Sequence, residues 1–309
     1  MPEVGIWKYA NNLNPFVENG FRLSLGEGDT PILENENIAK FLDVEDVYIK
    51  REDLNPTGSH KDRGLAFQIS AHIQEGAKSF VISSSGNSAI SAIALIRGRK
   101  ENLHIFLSEK ISKKKLSRLK RHPKESKNIK INFCKKPLSE AFKFAKENNF
   151  IFLRGSTDKY GYEGFKTIAY EIENLDFDSI FIPTSSATTA KGVYEGLQYK
   201  KPLHIVQTTV VNTLARDFDK KYKPEEESIA DSIVDRVGHR KEEIVKIIKK
   251  TQGHGWIVSN QEIINAKEKL QDENIITSNE SAMTIAAIEK ARLNGWEIKK
   301  PLCIFTGTK

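Results

Sequence analysis

The sequence predicts an α/β protein of two domains, each a mostly parallel, twisted sheet with helices on both faces. Three observations carry that expectation. Short apolar runs alternate with amphipathic stretches from one end of the chain to the other. At 309 residues the chain has room for two domains of ordinary size. Two polar strand-to-helix loops, far apart in sequence, repeat one local pattern. The strand candidates, in order, are SFVIS (79–83), LHIFL (103–107), IKINF (129–133), FIFL (150–153), SIFIP (179–183), LHIVQ (203–207), WIVS (256–259) and LCIF (302–305). Their near-continuous apolar character is that of strands covered on both faces. Between them lie helical patterns such as Leu65, Ile69 and Ile73, spaced by four and so sharing one face. A loop with two glycines, GSTDKYGY (155–162), separates two strand–helix groups and suggests a domain change.

Composition narrows the function classes. Hydrophobic residues make up 39% and charged residues 29%, well within the globular range. No stretch approaches the roughly 20 apolar residues of a membrane span, so no membrane partner is expected. Residues 1–20 carry Pro2, Glu3, Lys8, Asn11 and Asn12 without an apolar run, which reads as no secretory signal. Cys134 and Cys303, in or beside strand candidates, cannot form a metal site by themselves. Such sparse cysteine suits a reducing, cytoplasmic setting, and no metal is expected. The net charge of +7 is concentrated in 110–136, KISKKKLSRLKRHPKESKNIKINFCKK. That stretch has no Phe, Tyr or Trp before Phe133, so the stacking platform of a single-strand nucleic-acid binder is missing. Leu116 and Leu119 make a narrow seam beneath a lysine-rich face, the pattern of a solvated helix, and no nucleic-acid partner is expected.

Four segments bear chemistry. In KREDLNPTGSHKDRG (50–64), the turn residues Asn55, Pro56, Thr57 and Gly58 precede Lys61, which heads the helix through Leu65 and Ile73. A lysine held there is either a surface residue or one that forms a Schiff base with a carbonyl cofactor, which needs a lowered pKa. In SSSGNS (83–88) a polar loop ends on a helix N-terminus, where aligned N–H groups suit a carboxylate or phosphate. Capping would need only one of its serines. PTSSATT (183–189) repeats the geometry and adds the hydroxyls of Ser185, Ser186, Thr188 and Thr189, without the Gly-Lys-Ser/Thr of a P-loop. The chain closes with FTGTK (305–309), and Thr306 follows the last strand on the side where α/β folds bind ligands.

Taken in this order and at these separations, the segments resemble the fold-type II pyridoxal 5′-phosphate enzymes, a group that includes threonine synthase, serine/threonine dehydratase, cysteine synthase and the tryptophan synthase β-subunit. LGEGDTP (25–31), IKREDLNPTGSHKDRG (49–64), SSSGNSAISAIA (83–94) and EGFKTIAYEI (163–172) are most similar to the threonine synthase branch. The similarity runs from about Leu25 to the end of the chain. It implies pyridoxal 5′-phosphate as cofactor, with Lys61 as the Schiff-base lysine and His60 beside the cofactor phosphate. It implies further that Asn87 bonds the ring hydroxyl, and that Ser185, Ser186, Ala187, Thr188 and Thr189 cradle the phosphate. Thr306 would face the pyridine nitrogen. Ser84, Ser85, Gly86, Asn87 and Ser88 would take the substrate α-carboxylate. It also implies a small domain at 51–154, a large one made of 1–50 and 155–309 with the cofactor in the cleft between them, and a homodimer.

A hydroxyl at Thr306 holds the pyridine nitrogen protonated less well than a carboxylate does, so prompt loss of a leaving group is favoured over a long-lived carbanion. The implied activity is a lyase reaction, elimination or replacement at Cβ or Cγ of a small L-amino acid. Serine/threonine dehydration and cysteine synthase-like β-replacement are the alternatives, with a non-catalytic cofactor-binding protein beyond them. Two departures from the threonine synthase pattern stand out. The phosphate loop reads SSATT where the group is glycine-rich. Gly161 occupies the place of the arginine that grips the phosphate of homoserine phosphate, leaving Arg63, Lys159 and Lys166 as the candidate cations for that phosphate.

Overall fold

Each of the eight apolar runs forms a strand, and two further strands of three residues precede them. The computed structural model describes residues 4–121, 126–198 and 200–308. Outside these lie Met1, Pro2 and Glu3 of the N-terminal segment, His122 and its neighbours 123–125 in the basic stretch, Tyr199 and Lys309. The strands are β1 (Ile32–Glu34), β2 (Tyr48–Lys50), β3 (Ser79–Ser83), β4 (Asn102–Ser108), β5 (Ile129–Cys134), β6 (Ile151–Phe152), β7 (Ser179–Pro183), β8 (Leu203–Thr208), β9 (His254–Val258) and β10 (Pro301–Ile304). The helices are α1 (Glu36–Leu42), α2 (Lys61–Gln74), α3 (Asn87–Ile96), α4 (Lys113–Arg121), α5 (Pro137–Asn148), α6 (Lys166–Ile172), α7 (Thr188–Gly196), α8 (Lys241–Lys250), α9 (Asn260–Asp272) and α10 (Asn279–Leu293). Among the described residues no helix is long and apolar enough to cross a membrane.

The chain forms two compact units. The first combines the segment up to Gly28 with His60–Thr167. Its sheet is wholly parallel, in the order β5-β4-β3-β6. Helices α3, α4 and α5 make the crossovers that parallel neighbours require. Val81, Phe106, Ala141 and Ala145 form a core packed against Phe144, Phe150 and Phe152. Helix α2 is buried along almost its whole length, from Asp62 to Ile73, which is why its sequence lacks a polar face.

The second unit combines Asp29–Ser59 with everything from Ile168 onward. Its sheet runs β1-β2-β10-β7-β8-β9, antiparallel only at the β1–β2 edge. Burial of β7 and β8 is complete, as their apolar runs require. A large core joins α1, α9 and α10 to this sheet through residues such as Leu42, Phe181, Trp256, Met283, Ile285 and Phe305.

These boundaries differ from the expected 51–154 against the rest. The N-terminal segment joins the first unit because Trp7 packs on Phe67 at 5.9 Å and donates to Leu23 O at 2.7 Å, while Leu23 N donates to Ser70 Oγ at 2.8 Å. Asn14 N also donates to Glu163 Oε1 at 2.8 Å. The turn at 51–59 joins the second unit for an equally local reason. Ser59 Oγ donates to Thr306 O at 3.0 Å, Thr308 N donates to Gly58 O at 2.9 Å, and Thr277 Oγ1 donates to Asp53 Oδ2 at 3.0 Å.

Candidate active site

Within the first unit, Lys61 opens α2, directly after the buried His60. The half-buried Lys61 has its Nζ 5.6 Å from the centre of the Phe165 ring, and the His60 ring packs tilted against the same ring at 5.4 Å. Two glycines allow this close approach. A Cβ on Gly64 would lie 2.5 Å from the Phe165 ring, and one on Gly164 would lie 2.2 Å from the carbonyl oxygen of Arg63. Desolvation alone lowers the Lys61 ammonium to about 8. An amine with that value is a usable nucleophile and base near neutral pH, which an ordinary surface lysine is not.

In the same unit, Ser84, Ser85, Gly86, Asn87 and Ser88 bridge β3 and α3, and all five are half-buried. Gly86 N donates to Ser84 Oγ at 3.2 Å, and a Cβ on Gly86 would meet nothing within 4 Å. Asn87, the first residue of α3, accepts a hydrogen bond at Oδ1 from Arg118 Nη2 at 2.8 Å. Arg118 lies in the basic stretch read from the sequence as a solvated face, and no pattern in that stretch singles it out.

In the second unit, Ser185, Ser186, Ala187, Thr188 and Thr189 lead from β7 into α7. Ala187 adopts a left-handed conformation (φ 64°, ψ 6°), so it does what a glycine would do there. This accounts for the SSATT departure: the backbone keeps the glycine-type bend without the glycine. Ala187, Thr188 and Thr189 are buried, and the Ser186 and Thr188 hydroxyls bond each other at 2.9 Å. Ser185 Oγ accepts from Val234 N at 3.0 Å and Asp235 N at 3.1 Å, leaving its own proton to give. The first N–H groups of α7 have no intrahelical partners, and with these hydroxyls they form a donor set free of carboxylates that suits a phosphate. Buried Thr306 follows β10, its carbonyl held by Ser59.

Position 161 is closed by backbone. A Cβ there would lie 2.5 Å from Gly155 Cα and O, so no side chain fits without moving the main chain. The three candidate cations for a distal phosphate all have partners. Lys159 pairs with Glu75 at 2.6 Å, Lys166 with Glu163 at 2.9 Å, and the buried Arg63 donates to Thr167 Oγ1 at 2.9 Å. Sequence reasoning also missed the buried ion pair of Lys50 with Glu171 at 2.6 Å, and the 234–235 backbone that holds Ser185. Phe165 carried a signal, its place between Gly164 and Lys166 in a matched segment, but no role was read from it. Among the described residues no three His, Cys, Asp or Glu side chains cluster as a metal site would require.

A family model described as "Pyridoxal-phosphate dependent enzyme" matches residues 23–307. The threonine synthase of Methanocaldococcus jannaschii is 28% identical, over 99% of this chain and 80% of that protein. The threonine synthase of Halalkalibacterium halodurans is 30% identical, over 98% of this chain and 88% of that protein. Among solved structures, serine racemase from Dictyostelium discoideum shares the fold with a TM-score of 0.76 at 23% identity, covering 91% of this chain and 92% of that one.

Proposed function

From the premise that the chain belongs to the pyridoxal-phosphate dependent enzyme family, we propose that it eliminates or replaces a β- or γ-substituent of a small L-amino acid in the manner of a threonine synthase. The observation that carries this reading is Lys61: a half-buried amine at the head of a buried helix, lowered to about 8 by desolvation. Lys61 Nζ anchors the cofactor covalently, and Ser185 to Thr189 hold its phosphate with hydroxyls and the N–H groups at the start of α7. His60 would lie beside that phosphate, Asn87 would bond the ring hydroxyl, and Thr306 would offer its hydroxyl to the pyridine nitrogen. When bound, pyridoxal phosphate draws electrons from the substrate Cα–H bond and so supplies the chemistry that no side chain can.

The loop from Ser84 to Ser88 takes the substrate carboxylate on its N–H and hydroxyl groups, which fixes the Cα hydrogen relative to Lys61. Lys61 Nζ, once freed from its anchoring role, removes that hydrogen as general base. The homologous threonine synthases favour homoserine phosphate as the substrate. Closure of position 161 by Gly155 favours a second reading, serine or threonine dehydration, because that position cannot supply a guanidinium for a distal phosphate. A homodimer and a cytoplasmic location complete the proposal, the latter supported by the free thiols Cys134 and Cys303.

Borohydride treatment of the purified protein should fix the cofactor to the peptide bearing Lys61, and Lys61→Ala should be colourless. Label on another lysine would reject the assignment. A panel of homoserine phosphate, L-serine, L-threonine and O-acetylserine with sulfide separates the substrates. Ammonia from serine, with no phosphate release from homoserine phosphate, would replace the first reading by the second.

A further inference from the structure

We propose that Arg118 is a positioning residue that fixes the amide of Asn87, so that Asn87 Nδ2 is presented as the donor to the ring oxygen of the bound cofactor. The inference rests on the reading of Asn87 given above and extends it to a residue outside the four segments that carry the resemblance.

An asparagine amide offers an oxygen on one side and an NH2 on the other, and the two exchange places by a half-turn about one bond. With no fixed neighbour, Asn87 would meet a ring oxygen with its carbonyl about as easily as with its NH2, and two acceptors do not bond. The guanidinium of Arg118 has donors only. The Asn87 atom that faces it at 2.8 Å is therefore Oδ1, and Nδ2 is left to point elsewhere. A charged donor on the carbonyl also polarises the amide and makes its N–H groups stronger donors.

Helix α4 is built to deliver this contact. Leu119, next to Arg118, is buried and ties the helix to the first unit. Arg118 is half-buried, whereas Lys113 on the same helix is exposed. Arg118 thus has a fixed local task, whereas Lys110, Lys113, Lys127 and Lys130 of the same stretch are exposed. Lysine would be a poor substitute, since a point charge on a flexible stem does not define the amide plane as a planar fork does.

The experiment reads cofactor binding rather than turnover. The dissociation constant of pyridoxal 5′-phosphate and the visible absorption band of the bound form are measured for wild type, Arg118→Met, Asn87→Ala, the double variant and Lys113→Met. Arg118→Met should weaken binding roughly tenfold, as expected for loss of a charged hydrogen bond, and shift the band. Asn87→Ala should weaken binding at least as much, and adding Arg118→Met to it should cost nothing more. Lys113→Met should match wild type. The proposal alone falls if Asn87→Ala weakens binding but Arg118→Met does not. It falls equally if Arg118→Met costs as much with Asn87 absent, or if Lys113→Met has the same effect, since the contact would then be general charge. If Asn87→Ala changes neither the constant nor the band, the role of Asn87 fails, and that of Arg118 with it.

Discussion

The loops at 84–88 and 184–189 have the same local plan, a strand, a run of small polar residues and a helix N-terminus, yet they are built differently. In the first, all five residues from Ser84 to Ser88 are half-buried, and the space beside Gly86 is open. In the second, Ala187, Thr188 and Thr189 are buried, Ser185 is clamped by two backbone N–H groups, and Ala187 holds a backbone conformation that costs an alanine energy. An open loop lets a ligand come and go at little cost. A closed loop that carries strain is worth keeping only around a group that stays. The difference therefore matches a visiting substrate carboxylate in one loop and a resident cofactor phosphate in the other.

The largest expected effect tests the visitor's side. Gly161→Arg restores the arginine that the threonine synthase pattern carries, but its Cβ would press on the Gly155 backbone at 2.5 Å. Loss of stability by about 3 kcal/mol or more is expected, because main chain yields less readily than a side chain. Urea unfolding measures it. A variant as stable as wild type that gains activity on homoserine phosphate would show that this wall is soft and that the visitor's side can be refitted.

Next in size is a test of the resident side through Lys61. In the cofactor-free protein the ammonium is lowered to about 8 by desolvation, whereas an unfolded lysine titrates at 10.5. Below pH 8 both forms are charged and the folded state bears the full burial penalty. Between 8 and 10.5 the folded state sheds its proton first, so stability rises with pH. Cofactor-free Lys61→Met should therefore be more stable than wild type at pH 7, by on the order of 2 kcal/mol for a half-buried group. The advantage should vanish above pH 10.5. An advantage that does not change between pH 7 and 11 would show that packing, and not charge, separates the two proteins.

Much of this was legible in the sequence, and what was not has a physical reason. Strands β3, β4 and β7 to β10 announce themselves because burial demands continuous apolar runs, whereas β5 carries the same kind of run with Ile131 and Phe133 exposed. Strands β1 and β2 do not, because three residues such as Tyr48, Ile49 and Lys50 set up no period, and the buried Lys50 is held by Glu171 and the Thr30 carbonyl. The grouping of the N-terminal segment with α2 depends on single long-range contacts, Trp7 with Phe67 and Leu23 with Ser70, that no local pattern encodes. The loops could be found from their polar residues next to strands. Their difference in closure could not, because it lies in the φ of Ala187 and in a donor pair about 50 residues downstream of Ser185. Arg118 was hidden in plain charge: among so many cations, only geometry shows that it reaches Asn87.

A smaller effect separates the two loops by exchange of side chains. Ala187→Val places a β-branched residue at positive φ, and a penalty of about 1–2 kcal/mol should appear as weaker cofactor binding. Gly86→Ala enters open space at an ordinary φ of −122°, so cofactor binding should hold while KM for the amino acid rises a few-fold. Titration with pyridoxal phosphate and steady-state kinetics read the two quantities separately. The comparison breaks if the effects are exchanged, with Gly86→Ala loosening the cofactor and Ala187→Val touching only KM.

The smallest effect has the opposite sign. Ala187→Gly removes the Cβ from a left-handed residue at φ 64°, where an L side chain costs roughly 1–2 kcal/mol. Glycine gives part of this back by adding disorder to the unfolded chain, roughly 0.5–1 kcal/mol. The net expectation is a gain of about 0.5–1 kcal/mol in the cofactor-free protein, read as a higher urea midpoint with an unchanged slope. The buried Cβ of Ala187 also contributes contacts that glycine lacks, and those work against the gain. The sign of the result therefore weighs strain against packing at one methyl group. A gain means that the loop carries strain which the bound phosphate must hold in place. A loss means that packing around Ala187 stabilises the bend by itself, and the loop is then closed by its own side chains rather than for the ligand.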